Sequence, residues 1–176
     1  HASLDPLTSA RILISHVADG ITLARQYHLP FRVQNIIAEH HGDRAVRGFY
    51  HKAQEAAGEG VDIDLQQFRY PGPRPRSRES AIVMLADAID ATSTALRPNT
   101  EKAIEKLVNT IFEDDILEGQ LNSSNLSMGD IEQLRASFIE TLKGRFHVRV
   151  QYPGNELITA ENMPDLALPA PSVSLP

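Results

Sequence analysis

Ala81-Ile82-Val83-Met84-Leu85-Ala86-Asp87-Ala88-Ile89 is the stretch whose reading decides the fold. Its unbroken apolar run, Ala81 to Ala86, is six residues long, well short of the roughly 20 that a membrane-spanning helix requires. Within a helix from about Glu79 to Leu96 the apolar positions fall on nearly every side, so this segment is expected to be the central helix of a bundle. A carboxylate at Asp87, in the middle of such a helix, must be paired, bound to a metal or protonated, because an unpaired buried charge is costly. Asp90 shares its face. Pairing of Asp87 with a buried Arg or His is the alternative that needs no ligand.

Working outward, the spacing predicts helices on both sides. A first helix from about Pro6 to Tyr27 repeats Ile12, Leu13, Val17, Ile21 and Ala24 at helical intervals, with Asp5 as N-cap and Pro6 in the first turn. After the break at Leu29-Pro30, a second helix from about Phe31 to His41 is expected to bury Val33, Ile36 and Ile37, with Gly42 where a C-terminal cap belongs. A third, from about Asp43 to Ala57, carries Val46, Phe49, Tyr50 and Ala53. From Val61 to Arg78 runs a loop with three prolines and four arginines, longer than a mere connection usually is. Beyond Pro98 come two amphipathic helices, about Thr100 to Leu117 and Ser127 to Phe146, the second opened by a Ser127/Asp130 capping box. Val148-Arg149-Val150 reads as a short extended piece. From Tyr152 to Pro176 there are five prolines, three acidic residues and no Lys or Arg, the composition of a disordered tail. The expected fold is therefore an all-α bundle of about six helices, residues 1–151, followed by a tail, residues 152–176.

Composition narrows the chemistry. The 176 residues carry 17 Lys and Arg against 23 Asp and Glu, a formal net charge of -6, which argues against a bulk DNA or RNA binder. There is no cysteine, so disulfides, thiolate nucleophiles and thiolate-held metals are excluded, and any metal must be held by nitrogen and oxygen. Histidine is abundant: seven, against six Phe and four Tyr. The chain opens at His1 without Met or a signal-peptide pattern, and is expected to be a piece of something longer.

Two histidine positions interrupt apolar helices. His16 shares a face with Asp19 and Gly20, and the glycine leaves room for something to approach; a core histidine bonded to a carbonyl or to Asp19 is the other reading. Glu39-His40-His41-Gly42-Asp43 closes the second helix. Adjacent helical side chains diverge by about 100°, so His40 and His41 converge on one atom only where the helix frays, or with two metals to serve; favourable cations near a helix C-terminus are the alternative. Taken together, His16, His40, His41 and Asp87, each in a helix of one small bundle, form the donor set of a core-facing metal centre.

In their order along the chain these residues resemble the HD-domain superfamily of metal-dependent phosphohydrolases. More closely, His1-Ala2-Ser3-Leu4-Asp5-Pro6, Ile14-Ser15-His16-Val17, Glu39-His40-His41-Gly42, Phe49-Tyr50-His51-Lys52-Ala53, Tyr70-Pro71-Gly72-Pro73-Arg74-Pro75 and Met84-Leu85-Ala86-Asp87 resemble the cytoplasmic HD domain of bacterial seven-transmembrane HD receptors. The resemblance implies an HD-domain helical bundle hydrolysing cyclic di-AMP to pApA, with two divalent ions, manganese or iron, activating a water. It implies His16, His40, His41 and Asp87 as metal ligands, and a place in the cytoplasmic domain of a bacterial inner-membrane protein, joined to the membrane only through regions outside this chain. The superfamily's first His and its His-Asp pair fall upstream of the segment matched by His1, and no His-Asp dipeptide occurs here; the domain is thus expected to lack its N-terminal part and its full ligand set. Asp90 and Thr94 stand where relatives are expected to have Glu and Arg.

For the second phosphate of a cyclic dinucleotide the candidates are Lys52 and Tyr50 in the third helix and Arg74 or Arg76 in the loop, whose four arginines are either bait for a polyanion or ordinary solvated groups. No DNA or RNA partner is expected, and a homodimer is compatible with the pattern. The competing functions are an HD phosphohydrolase of another nucleotide and a non-catalytic nucleotide-binding or signalling domain of a membrane receptor.

Overall fold

A computed structural model describes residues 4–58 and 60–146. The extended piece at 148–150, the boundary at 151 and the tail lie outside the described residues. Six α-helices follow in order: α1 (Pro6–Gln26), α2 (Phe31–Glu39), α3 (Arg47–Ala57), α4 (Arg78–Leu96), α5 (Glu101–Leu117) and α6 (Met128–Phe146), with one 3₁₀ turn at Leu65–Phe68. Among the described residues no helix is long and apolar enough to cross a membrane. α1 packs on α2 and α3, α2 on α4, α4 on α5, and α5 on α6.

The helix ends follow from local chemistry. The Asp5 carboxylate accepts the amide of Thr8 at 2.9 Å and Pro6 occupies the first turn of α1. Before α6, the Ser127 amide donates to the Asp130 carboxylate at 2.9 Å while the Asp130 amide donates to the Ser127 hydroxyl at 3.1 Å, a reciprocal box that satisfies two otherwise unpaired amides.

The core belongs to the second half of the chain. Ala81, Met84, Leu85 and Ile89 of α4 meet Ile104, Leu107, Val108 and Phe112 of α5, Leu121 of the next turn, and Ile131 and Leu142 of α6. α4 is central, as expected, but not buried all round: Ile82 and Val83 are 36% and 39% exposed. Asp87, expected in the core, has a side chain 45% exposed, because it lies on the side of α4 turned away from α5 and so keeps access to water. The first half is shallower still. Of the α1 stripe, Val17 and Ala24 are buried while Ile12 and Leu13 stay exposed. In α2 the expected burial of Val33 fails, Ile36 and Ile37 are only half-buried, and the one fully buried residue is Glu39.

The two boundaries around the His pair differ from the sequence reading, for one reason. α2 stops at Glu39 instead of His41, and α3 begins at Arg47 instead of Asp43. Between them Gly42 adopts φ +57°, a left-handed conformation that ends helical hydrogen bonding and that glycine enters at no steric cost. The segment then runs extended to an antiparallel bridge between Ala45 and Arg69, where the Tyr70 amide donates to Arg44 O and the Val46 amide to Phe68 O, at 2.9 and 2.8 Å.

Candidate metal centre

The early end of α2 makes the His pair usable. His40 is its C-cap and His41 lies past it, so the two rings escape the divergence a regular helix imposes. His40 and His41 meet His16 of α1: the Nε2 of His16 lies 3.1 Å from the Nε2 of His40 and 3.1 Å from the Nε2 of His41. One ligand atom from each falls within 4.8 Å of the others. The expectation of a core-facing centre is corrected: His16 is exposed and the other two half-buried, so the cluster opens at the bundle surface. The room beside Gly20 is taken by packing, since a Cβ there would meet Ile37 of α2 at 3.0 Å.

The tautomers carry the chemistry. A neutral imidazole has one N–H and one lone pair. His16 turns Nδ1 to the carbonyl of Leu13, and His40 turns Nδ1 to the carbonyl of Ile37 at 2.7 Å. A carbonyl only accepts, so each Nδ1 carries a proton, and in the neutral form of each ring Nε2 is the nitrogen with the lone pair. In that form two lone pairs face each other at 3.1 Å, the arrangement that a cation between them requires. Donation of the second ring N–H to a carbonyl is also how metal-bound histidines are usually oriented. His41 completes the set: burial first, then His40, His16 and Arg44, push its pKa down to about 3, so its ring is neutral in ordinary buffers. This donor set fits a divalent transition metal.

Asp87 is brought beside the cluster but not into it. Its carboxylate is 3.5 Å from His41 Nδ1, the ring nitrogen other than the one facing His16. Tyr70 was missed by sequence reasoning. Its ring stacks on His41, centroids 4.2 Å apart at 17°, and meets His16 edge-on at 6.0 Å. Burial, then the charge of Asp87, pushes its hydroxyl up to about 12, against the pull of Arg44. Only its place beside Pro71 in a Pro-rich stretch could have hinted at this, since loop residues show no periodicity.

The loop arginines are all engaged within the protein. Arg69 donates to the carbonyl of Asp43 at 2.7 Å, and Arg78 to the carbonyl of Asn125 at 3.0 Å and to Asp130 at 3.1 Å. Arg74 Nε donates to Asp43 Oδ1 at 3.0 Å and its Nη1 to the carbonyl of Gly119 at 3.2 Å. Arg76 uses its amide and Nε on the two oxygens of buried Glu39, at 3.0 and 2.8 Å. Burial opposes ionisation of Asp43, but the hydrogen bonds from Arg74 and Gln120 outweigh it and hold the carboxyl below its ordinary range. Asp90 and Thr94 both face Arg145 of α6, with Arg145 Nη2 at 3.2 Å from the Thr94 hydroxyl. On α3, Lys52 is exposed with Nζ 5.6 Å from the Phe49 ring, and the Tyr50 hydroxyl accepts from Gln54 at 3.0 Å.

This helical bundle gathers three imidazoles whose ligand atoms lie close enough together to hold a metal ion. The chain belongs to the HD domain family, whose model matches residues 2–92. It is 39% identical over 154 residues to the cyclic-di-AMP phosphodiesterase PgpH of Bacillus subtilis (strain 168), a match covering 87% of this chain. It is 31% identical over 156 residues, 89% of this chain, to the protein of the same name from Listeria monocytogenes serotype 1/2a (strain 10403S). The chain spans about a fifth of those curated relatives, 21% of each. Among solved structures, the L. monocytogenes PgpH HD domain in complex with cyclic-di-AMP superposes with a TM-score of 0.78 at 32% identity, over 86% of this chain and 70% of that one.

Proposed function

We propose that this chain is part of a metal-dependent phosphodiesterase domain that hydrolyses cyclic di-AMP to pApA. The observation that carries the reading is the pair of Nδ1–H groups turned to backbone carbonyls, which leaves the Nε2 lone pairs of His16 and His40 aimed at one another, with His41 beside them. His16, His40 and His41 hold one divalent ion, manganese or iron. Asp87, whose carboxylate lies beside His41, would be a ligand of a second ion. Such ions supply charge neutralisation at a phosphoryl oxygen and a lowered pKa for water.

The chain's own residues divide the remaining work. Tyr70 holds the plane of the His41 ring by stacking. Lys52 and Tyr50 on α3 are the groups assigned to the second phosphate, Lys52 as a point charge on a flexible stem. Arg74 and Arg76, tied to Asp43 and Glu39, serve the frame of the site instead of the substrate. The wider setting is a cytoplasmic domain joined to a membrane region outside this chain.

The test pairs binding with turnover. Mn²⁺ titrated into the 176-residue chain is expected to bind at a single site that His16→Ala abolishes, read by electron paramagnetic resonance of free Mn²⁺. The longer protein that contains this chain is expected to convert cyclic di-AMP to pApA with Mn²⁺ and to lose that conversion in His41→Ala. No metal bound and no pApA formed would overturn the reading; nucleotide binding without turnover in the longer protein would instead mark a non-catalytic receptor domain.

A further inference from the structure

His40 is the C-cap of α2, with its Nδ1 at the Ile37 carbonyl, but His41 lies past the helix, so something other than α2 must fix the main chain that carries it. We propose that Gln120, in the turn between α5 and α6, is a positioning residue for this His pair, with Arg76 as its counterpart on the other side; the proposal rests on reading the His cluster as a metal centre.

The His pair is held at both flanks. Before it, Glu39 is 2% exposed and both its oxygens are taken by Arg76, so the last helical residue cannot shift without uncovering a buried charge. After it, Gly42 and Asp43 rest on Gln120, which is 0% exposed. Gln120 Nε2 donates to Asp43 Oδ1 at 2.7 Å, and its Oε1 faces the Asp43 amide at 3.4 Å. That amide orientation is dictated by its partner, since a carboxylate can only accept. A neutral side-chain amide is the one group of this length that serves both an N–H and a carboxylate; a glutamate there would put two negative charges together. The fit is also steric. A Cβ on Gly42 would lie 2.2 Å from Gln120 Oε1, so Gln120 occupies the space that glycine leaves empty. Arg74 closes the arrangement, bridging Asp43 and the carbonyl of Gly119 beside Gln120. The side-chain hydrogen bonds of Gln120 go to Asp43 and not to a histidine ring. Its effect passes through the main chain of residues 42 and 43 to His41.

The experiment compares the 176-residue chain with Gln120→Ala, Gln120→Glu and Arg76→Ala, using Co²⁺ as probe. Three readouts are taken: Co²⁺ affinity and visible absorption, amide hydrogen exchange of residues 39–43 without metal, and thermal unfolding by circular dichroism. Gln120→Ala and Gln120→Glu are expected to weaken Co²⁺ about tenfold or more, the usual effect of losing an outer support, to alter the absorption band, and to speed exchange at residues 41–43 while α5 and α6 stay protected. A variant that unfolds at lower temperature yet keeps wild-type Co²⁺ affinity and absorption while folded would overturn the proposal, leaving Gln120 a purely structural residue. If wild-type protein binds no Co²⁺, it is the metal reading that falls, and unchanged exchange at 41–43 in Gln120→Ala would then remove the positioning role as well. Should Gln120→Ala not fold, Gln120→Glu, which keeps the chain length, carries the same three readouts.

Discussion

The two halves of the molecule are held together by different forces. The α4–α6 half buries an apolar cluster centred on Met84, Leu85, Ile104, Val108 and Phe112, all at 0% exposure. The half that carries the histidines leaves Ile12, Leu13, Leu23, Phe31 and Val33 exposed, and buries the charged Glu39 along with Val17, Ala24 and Phe68. Its links to the rest are polar: Arg76 to Glu39, Arg74 and Gln120 to Asp43, and Arg44 to Asp115 of α5, with Arg44 Nε 2.6 Å from Asp115 Oδ1. The contrast has a physical meaning. Apolar burial is roughly proportional to area and indifferent to direction, about 1.5–3 kcal/mol for a fully buried large side chain, so it supplies stability. Hydrogen bonds and ion pairs add less net stability but fix angles, and a ligand site needs angles.

If this division is right, removing a core ring and removing a polar link should fail differently. Phe112→Ala empties the cluster beside Phe138 and Arg135, and is expected to cost about 3–5 kcal/mol in urea unfolding. The fraction still folded should bind Co²⁺ as the wild type does; weakened binding there would break the comparison. Arg76→Ala leaves Glu39 buried with only the amide of residue 76 as donor, and should cost about 1.5–3 kcal/mol, the range for a charge-assisted hydrogen bond. Glu39→Gln should cost less, because the Arg76 side chain is 60% exposed and water can take up its charge. Denaturation midpoints of the two variants in the reverse order would show that the buried carboxylate is not the costly partner.

The smallest effect sharpens the boundary of the apolar half. Ser127→Ala removes the cap of α6 and is expected to cost about 1 kcal/mol. Hydrogen bonds from the Ser127 hydroxyl and amide hold the Asp130 carboxyl below its ordinary value of 3.8, with Arg78 assisting. A depressed carboxylate contributes stability that is fully present above the unfolded value and is lost as pH falls below it. Thermal midpoints followed down through pH 3.8 should therefore drop less steeply in Ser127→Ala than in wild type, and parallel profiles would remove the cap's share.

The six helices were legible because each depends on neighbours a few residues away: helical apolar spacing, the Asp5 cap, the Ser127/Asp130 box and the break at Pro30. The histidines that cluster were legible as residue types in a pattern. What misled the reading was burial. An apolar α4 seemed to require a buried Asp87, and an apolar α2 a buried Val33, yet both faces are open, because sequence records which faces are apolar and not which are covered. The partners of the loop arginines were not legible either, since nothing local to Arg74 or Arg76 reveals that Asp43 and Glu39 wait more than thirty positions earlier.

Sequence by itself determined the class of the fold, the absence of cysteine and which histidines interrupt apolar helices, all of which follow from residue type and short-range spacing. Tertiary structure alone decided where α2 ends, which ring nitrogens of His16 and His40 face backbone carbonyls, that Tyr70 lies on His41, and that Gln120 fills the space at Gly42. Those features arise where segments as much as 77 residues apart meet, and the direction of a hydrogen bond between them is set by packing that no local pattern encodes.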